Sequence, residues 1–158
     1  MADLRKLLGA LGFTEVTTLL NSGNAVFDGP GEAPAAIAAR IRAAVAKKLG
    51  VDAFVVVKTA KEVAAVIAGN KLGKIATNPS RLLVALVHDP KALTRLEPLA
   101  RTEWKGEVVQ LGKHAAYLWC AEGILESKAG AALLKNLEET GTTRNWATLE
   151  KIDALLKR

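Results

Sequence analysis

Residues 107–120 read Glu-Val-Val-Gln-Leu-Gly-Lys-His-Ala-Ala-Tyr-Leu-Trp-Cys, and this stretch decides the fold. Two short runs, Glu107 to Leu111 and His114 to Cys120, flank Gly112-Lys113. Their β-branched, aliphatic and aromatic content predicts a β-hairpin turning at the glycine. In the second run Tyr117 and Trp119 fall on one face, and Ala116, Leu118 and Cys120 on the other. Upstream, the apolar run Arg81 to His88 predicts a strand, and Asp89-Pro90 starts a helix reaching about Ala100. Downstream the pattern predicts two helices, about Ser127 to Glu138 and about Thr143 to Leu156, capped by Ser127 and Thr143.

The first half repeats this rhythm. Leu4, Leu7, Leu8 and Leu11 recur at helical spacing behind Asp3, and Gly12 stops them. Glu15 to Leu20 and Ala25 to Asp28 form a second hairpin around Asn21-Ser22-Gly23-Asn24. Pro34 opens a long helix whose Ile37, Ile41, Val45 and Leu49 lie on one stripe, and Gly50 ends it. Val51 to Lys58 then reads as a strand. Thr59-Ala60-Lys61-Glu62 is a capping box that starts a helix over Ala60 to Ala68.

The expected fold class is therefore α+β, with two ferredoxin-like (split βαβ) plait units. The second half, 81–158, reads as β-α-β-β-α-α. The first half, 1–58, reads as α-β-β-α-β, the same plait lacking its opening strand. In such a plait the first strand is central, so its loss leaves hairpin edges in need of a partner. Residues 59–80 supply a helix and a connecting loop, and one compact unit is expected.

Composition narrows the function classes. With 158 residues, half of them hydrophobic, the chain has the size of one ordinary domain and an aliphatic core. Its 22 Lys and Arg against 16 Asp and Glu give +6. The cations are spread and interleaved with acids, which fits a solvated surface better than a nucleic-acid stripe. Cys120 is the single cysteine, so no intramolecular disulfide or cysteine metal cage can form. Neither His88 nor His114 has metal spacing, and no cofactor is expected. The apolar run Leu82 to Val87 is too short to cross a bilayer, and no secretory leader is evident, so the expectation is a cytoplasmic protein without membrane contact.

Several of these landmarks combine: Met1-Ala2-Asp3-Leu4-Arg5, Leu11-Gly12-Phe13, Asn21-Ser22-Gly23-Asn24 before Val26-Phe27, Ser127-Lys128, and Thr142-Thr143-Arg144-Asn145-Trp146. In this order and separation they resemble the bacterial family known only as domain of unknown function 1697. The resemblance implies an α+β fold of plait-like units and brings no enzyme name. It also implies an earlier strand and an Arg-Gly-Ile-Asn-like loop, so Met1 looks like an internal methionine. Truncation, a late start and a strand supplied by another protomer all stay open. Ala121-Glu122-Gly123 departs from the Pro-Asp-Gly-like turn the family favours.

No catalytic constellation stands out, and the catalytic residues are unknown at this stage. The leading expectation is a noncatalytic module for an anionic ligand, either a phosphate-containing small molecule or nucleic acid. An exposed helix start points unpaired N–H groups outward, and the Arg144 fork adds charge beside them. Arg144 and Lys128 are the expected neutralising groups, with Asn21, Ser22, Asn24 and Asn145 as hydrogen-bonding partners. Each has a structural counterpart: the Asn-Ser-Gly-Asn turn is ordinary hairpin chemistry, Arg144 serves packing equally well, and Trp146 anchors a helical stripe with Leu149, Ile152 and Leu156. Rival readings are a small-molecule enzyme using a carboxylate such as Glu122, and a homodimer joined through the incomplete first-half sheet.

Overall fold

The computed structural model describes residues 2–20 and 23–157. The second half is organised by β3 (Leu82–Val87), which is apolar throughout and almost wholly buried. Such a strand must be covered on both faces and paired on both edges, because its backbone groups have no water to bond. Four antiparallel strands meet this demand in the order β4 (Val108–Leu111), β5 (Ala115–Trp119), β3, β6 (Gly141–Asn145). On one edge Leu83 pairs with Leu118, and on the other Val84 pairs with Arg144.

The strand β6 corrects the reading of Thr143 as a helix cap. Thr142 and Thr143 are β-branched and lie against the open edge of β3, so they extend the sheet. The cap moves to Asn145, whose Oδ1 accepts from the Thr148 N–H at 2.9 Å, and α6 runs over Trp146–Leu156. With β6 in place the second half reads β-α-β-β-α-β, a complete split plait rather than one ending in two helices.

The helix expected after Asp89-Pro90 also changes form. It is a 3₁₀ helix over Pro90–Leu96 followed by the short α4 (Glu97–Arg101). Pro98 has no N–H to donate to Thr94, so a continuous α-helical ladder cannot pass this point. The Glu97 N–H bonds the Thr94 carbonyl instead.

Both faces of the four-stranded sheet are covered. Ala116, Leu118 and Cys120 pack with Leu93, Leu96, Leu99 and α5 (Lys128–Leu137). On the opposite face Tyr117, Leu82 and Val84 meet Leu149 of α6 and Val66 of α3 (Ala60–Ala68). Tyr117 is 1% exposed and donates its hydroxyl hydrogen to the Val66 carbonyl at 2.6 Å. Gly69 permits that approach, since a Cβ there would stand 2.6 Å from the Tyr117 oxygen.

The first half has its own core. The helices α1 (Ala2–Ala10) and α2 (Pro34–Leu49) pack Leu8, Ile37 and Ile41 against Phe13 and the hairpin of β1 (Thr14–Leu19) and β2 (Asn24–Asp28). Arg40 ties the two helices by donating to the Leu11 carbonyl at 2.8 Å, pairing with Glu32 and lying over the Phe13 ring. The predicted strand Val51 to Lys58 is not a strand and joins no ladder among the described residues. Its Ala53, Val55 and Val57 pack onto the same core as the hairpin, yet β1 and β2 pair only with each other. A strand needs a neighbour for its backbone groups, and among the described residues none pairs with it.

Tyr117 is the chain's sole tyrosine, and burial pushes its phenol up to about 12. A raised folded pKa means the neutral phenol is favoured by folding, so this contribution holds below pH ~10 and is lost as pH rises toward ~12. Tyrosinate absorbance should therefore appear near pH ~12 in the native protein and near ~10 in denaturant. Native ionisation near the free value would show that the hydroxyl is solvated.

Candidate functional site

The fold brings part of the expected site together. Arg144, on β6, donates from Nε to Asn24 Oδ1 at 2.7 Å. Its Nη1 donates to the Thr143 carbonyl at 2.7 Å and to Thr142 Oγ1 at 3.1 Å. Its Nη2 reaches the Gly23 carbonyl at 3.4 Å. The guanidinium thus binds the first-half hairpin to the edge strand of the second half, across 120 residues of chain. Burial holds its pKa below the ordinary arginine value, and a planar fork with several fixed acceptors suits this role better than an ammonium would. Asn24 is itself buried and donates from Nδ2 to the Leu19 carbonyl at 3.2 Å.

The remaining expected residues are placed elsewhere. Asn145 caps α6 and accepts from both the N–H and hydroxyl of Thr148. Lys128 starts α5, where Glu107 accepts from the Ala129 N–H at 3.2 Å and from the Ser127 hydroxyl. Glu107 precedes β4, at the opposite edge of the sheet from β6, roughly 14 Å away at ordinary strand spacing. Lys128 and Arg144 therefore do not share one hollow. Asn21 and Ser22 lie outside the described residues.

A different concavity forms where the halves meet. Phe54, His88, Asp89, Lys91, Arg95 and Glu139 line a cleft of about 390 Å³. The Phe54 and His88 rings lie 5.8 Å apart between centroids. His88 follows the end of β3, and its Nε2 stands 2.7 Å from the Val55 carbonyl oxygen. A carbonyl only accepts, so Nε2 carries the proton, and Nδ1 is the acceptor of the neutral ring. Asp89 accepts from the Lys91 N–H at 3.0 Å, closing the start of the 3₁₀ helix. Arg42 lies over the Phe54 ring, pairs with Asp52 and is drawn further toward its charged form by Glu139. Lys91 and Arg95 form no ion pair among the described residues. Glu139 adopts φ +56, a left-handed turn that carries the chain from α5 into β6.

No sequence motif announced this cleft, because its residues come from both halves. The available signal was His88-Asp89-Pro90, a polar break directly after an apolar strand. The reading of His88 as a turn-edge residue left out its contact with Val55, 33 positions away. The Cys120 thiol is buried, and desolvation pushes its pKa up, so it is not poised as a nucleophile. Among the described residues no group of three or more His, Cys, Asp or Glu is placed to hold a metal ion. None of the described helices is long and apolar enough to cross a membrane.

This α+β architecture has known counterparts. Residues 1–117 match the family described as protein of unknown function (DUF1697), and the chain belongs to that family. The structure of the conserved bacterial protein SP0830 from Streptococcus pneumoniae is similar, with a TM-score of 0.76 and 23% identity. The similarity covers 100% of this chain and 89% of that one, and it concerns the fold alone. Comparison with curated proteins gives no match.

Replacing Arg144 by Lys should remove the bond to Asn24 and cost about 1–3 kcal/mol in urea unfolding. Asn24→Ala should cost less on top of Arg144→Lys than it does alone, since the two act through one contact. Full additivity in that double-mutant cycle would show that the clamp contributes nothing.

Proposed function

We propose that this protein is a noncatalytic cytoplasmic module that binds a phosphate-containing small molecule in the cleft between its halves. The observation that carries the reading is the pair Lys91 and Arg95, two cations that form no ion pair among the described residues and line a hollow with Phe54 and His88. Two acids line the same hollow: Asp89 accepts from the Lys91 N–H and closes its own turn, and Glu139 forms no ion pair among the described residues. An anion entering the cleft meets the charge of Lys91 and Arg95, and a planar group beside it meets the Phe54 and His88 rings.

Size favours a small ligand over nucleic acid. Small-molecule sites occupy roughly 300–1,000 Å³, and this cleft falls at the lower end of that range. A sheet-based nucleic-acid platform would need exposed aromatics, whereas Tyr117 is buried beneath α3 and α6. In this reading Arg144 and Asn24 act behind the site by fixing the first half against the second, and Lys128 and Asn145 hold no ligand.

Adenosine monophosphate, inorganic phosphate and a short single-stranded oligonucleotide can be titrated while following backbone amide shifts. The nucleotide is expected to move the Lys91, Arg95 and Phe54 signals. Lys91→Ala with Arg95→Ala should weaken binding at least about tenfold with circular dichroism unchanged. Binding unchanged in that variant, or no binding of either phosphate compound, would overturn the proposal. Tighter, steeply salt-dependent binding of the oligonucleotide would favour the nucleic-acid reading instead.

A further inference from the structure

The cleft between the halves is lined by charges of both signs. Lys91 and Arg95 come from the 3₁₀ helix that follows β3, and Glu139 comes from the turn between α5 and β6, two residues before Gly141 pairs with Val87. Among the described residues neither cation pairs with Glu139 or with Asp89, so opposite charges line one hollow without closing on each other. The two acids differ in what holds them. Asp89 accepts from the Lys91 N–H at 3.0 Å and starts the 3₁₀ helix, whereas no hydrogen bond engages the Glu139 carboxylate among the described residues.

Position 139 is an unfavourable one for an acid. Glu139 lies just past the C-terminus of α5, where the helix dipole already presents negative charge, and Glu138 beside it adds to that charge. Its φ of +56 is the left-handed conformation that helix ends normally give to glycine or asparagine. Both features argue against a carboxylate that serves the fold. What the residue lines is the cleft, together with Phe54, whose ring Arg42 overlies at 5.7 Å. Arg42 feels Glu139 only as a minor neighbour, because its guanidinium is held by Asp52 through two hydrogen bonds.

We propose that the ligand of this cleft is a zwitterion, a phosphate ester that also carries an ammonium group, with Lys91 and Arg95 receiving the phosphate and Glu139 receiving the ammonium. The inference rests on the phosphate-binding reading above and narrows it. A plain phosphate ester brings its negative charge into a hollow that already holds Glu139, and part of the attraction to the two cations is cancelled. An ammonium on the same molecule turns that repulsion into a second attraction, and selection against esters without it follows from the same residue. A hydrogen bond between an ammonium and a carboxylate is charge-assisted, which makes it stronger than a neutral one. The frame that joins the two charges then lies beside the Phe54 and His88 rings, whose centroids are 5.8 Å apart, so an aromatic spacer suits it.

Titration calorimetry of the full chain can compare the phosphate ester of tyramine with para-propylphenyl phosphate, its isostere lacking the ammonium. The tyramine ester should bind at least about tenfold more tightly. Glu139→Gln keeps the size and the left-handed backbone but removes the charge. In that variant the two esters should bind within about twofold of each other, the tyramine ester having weakened and the propyl ester having held or gained. Equal affinities in the native chain, with both lost in the Lys91→Ala, Arg95→Ala variant, would overturn the zwitterion and leave the phosphate site standing. A preference for the ammonium that survives Glu139→Gln would overturn the role given to Glu139. Binding of neither ester while adenosine monophosphate binds would overturn the zwitterion alone, and failure of all three would take the phosphate reading with it.

Discussion

The constraint on which this structure depends is the need to satisfy β3 on every side. Leu82 to Val87 is an apolar strand in the middle of the second half, and its backbone groups can be bonded only by strands on both edges. β5 meets the first edge through the short hairpin from β4. β6 meets the second after α5 has crossed the sheet. Covering the two faces then requires α4 and α5 on one side and α3 and α6 on the other, which draws α3 away from the first half and joins the halves. The inter-half cleft follows from the same geometry, since His88 emerges where β3 ends, beside Phe54 and Val55.

Local chemistry made much of this legible. The capping box at Thr59 and Glu62 forms with both reciprocal bonds, and Gly50 ends α2 at φ +68. Both hairpins form, the first with an irregular register between Thr14 and Thr17, and the alternating faces of β5 pack into separate clusters. The strand β6 was hidden because Thr142, Thr143, Arg144 and Asn145 are polar and run directly into an amphipathic helix. Their strand conformation comes from the edge of β3, a tertiary demand that no window around them contains. The segment 51–58 shows the converse. Its residues favour a strand, but propensity alone supplies no neighbour, and among the described residues the segment joins no ladder.

The site was less legible than the fold. Arg144 and Asn24 were singled out separately, and the structure joins them, but as a clamp holding the halves together. Lys128 was grouped with Arg144 because both stand near helix starts, and helix order in sequence does not reveal which sheet edge each start lies above. Glu107 fixes that edge for α5. The cleft residues escaped notice because Phe54, Lys91, Arg95 and Glu139 are unremarkable singly and meet only when the halves close. A basic composition spread along the chain gave no hint that Lys91 and Arg95 would line one cleft.

Native-state hydrogen exchange resolved by residue tests the central role of β3 most directly. If the whole structure rests on this strand, the amides of Leu83, Val84 and Ala85 should exchange only through global unfolding, with the full denaturant dependence of the protein. The amides of β1 and β2, in a two-stranded sheet with its own small core, should open by a cheaper, partial route. Amides in β1 and β2 as slow as those of β3, or β3 opening before them, would contradict this account.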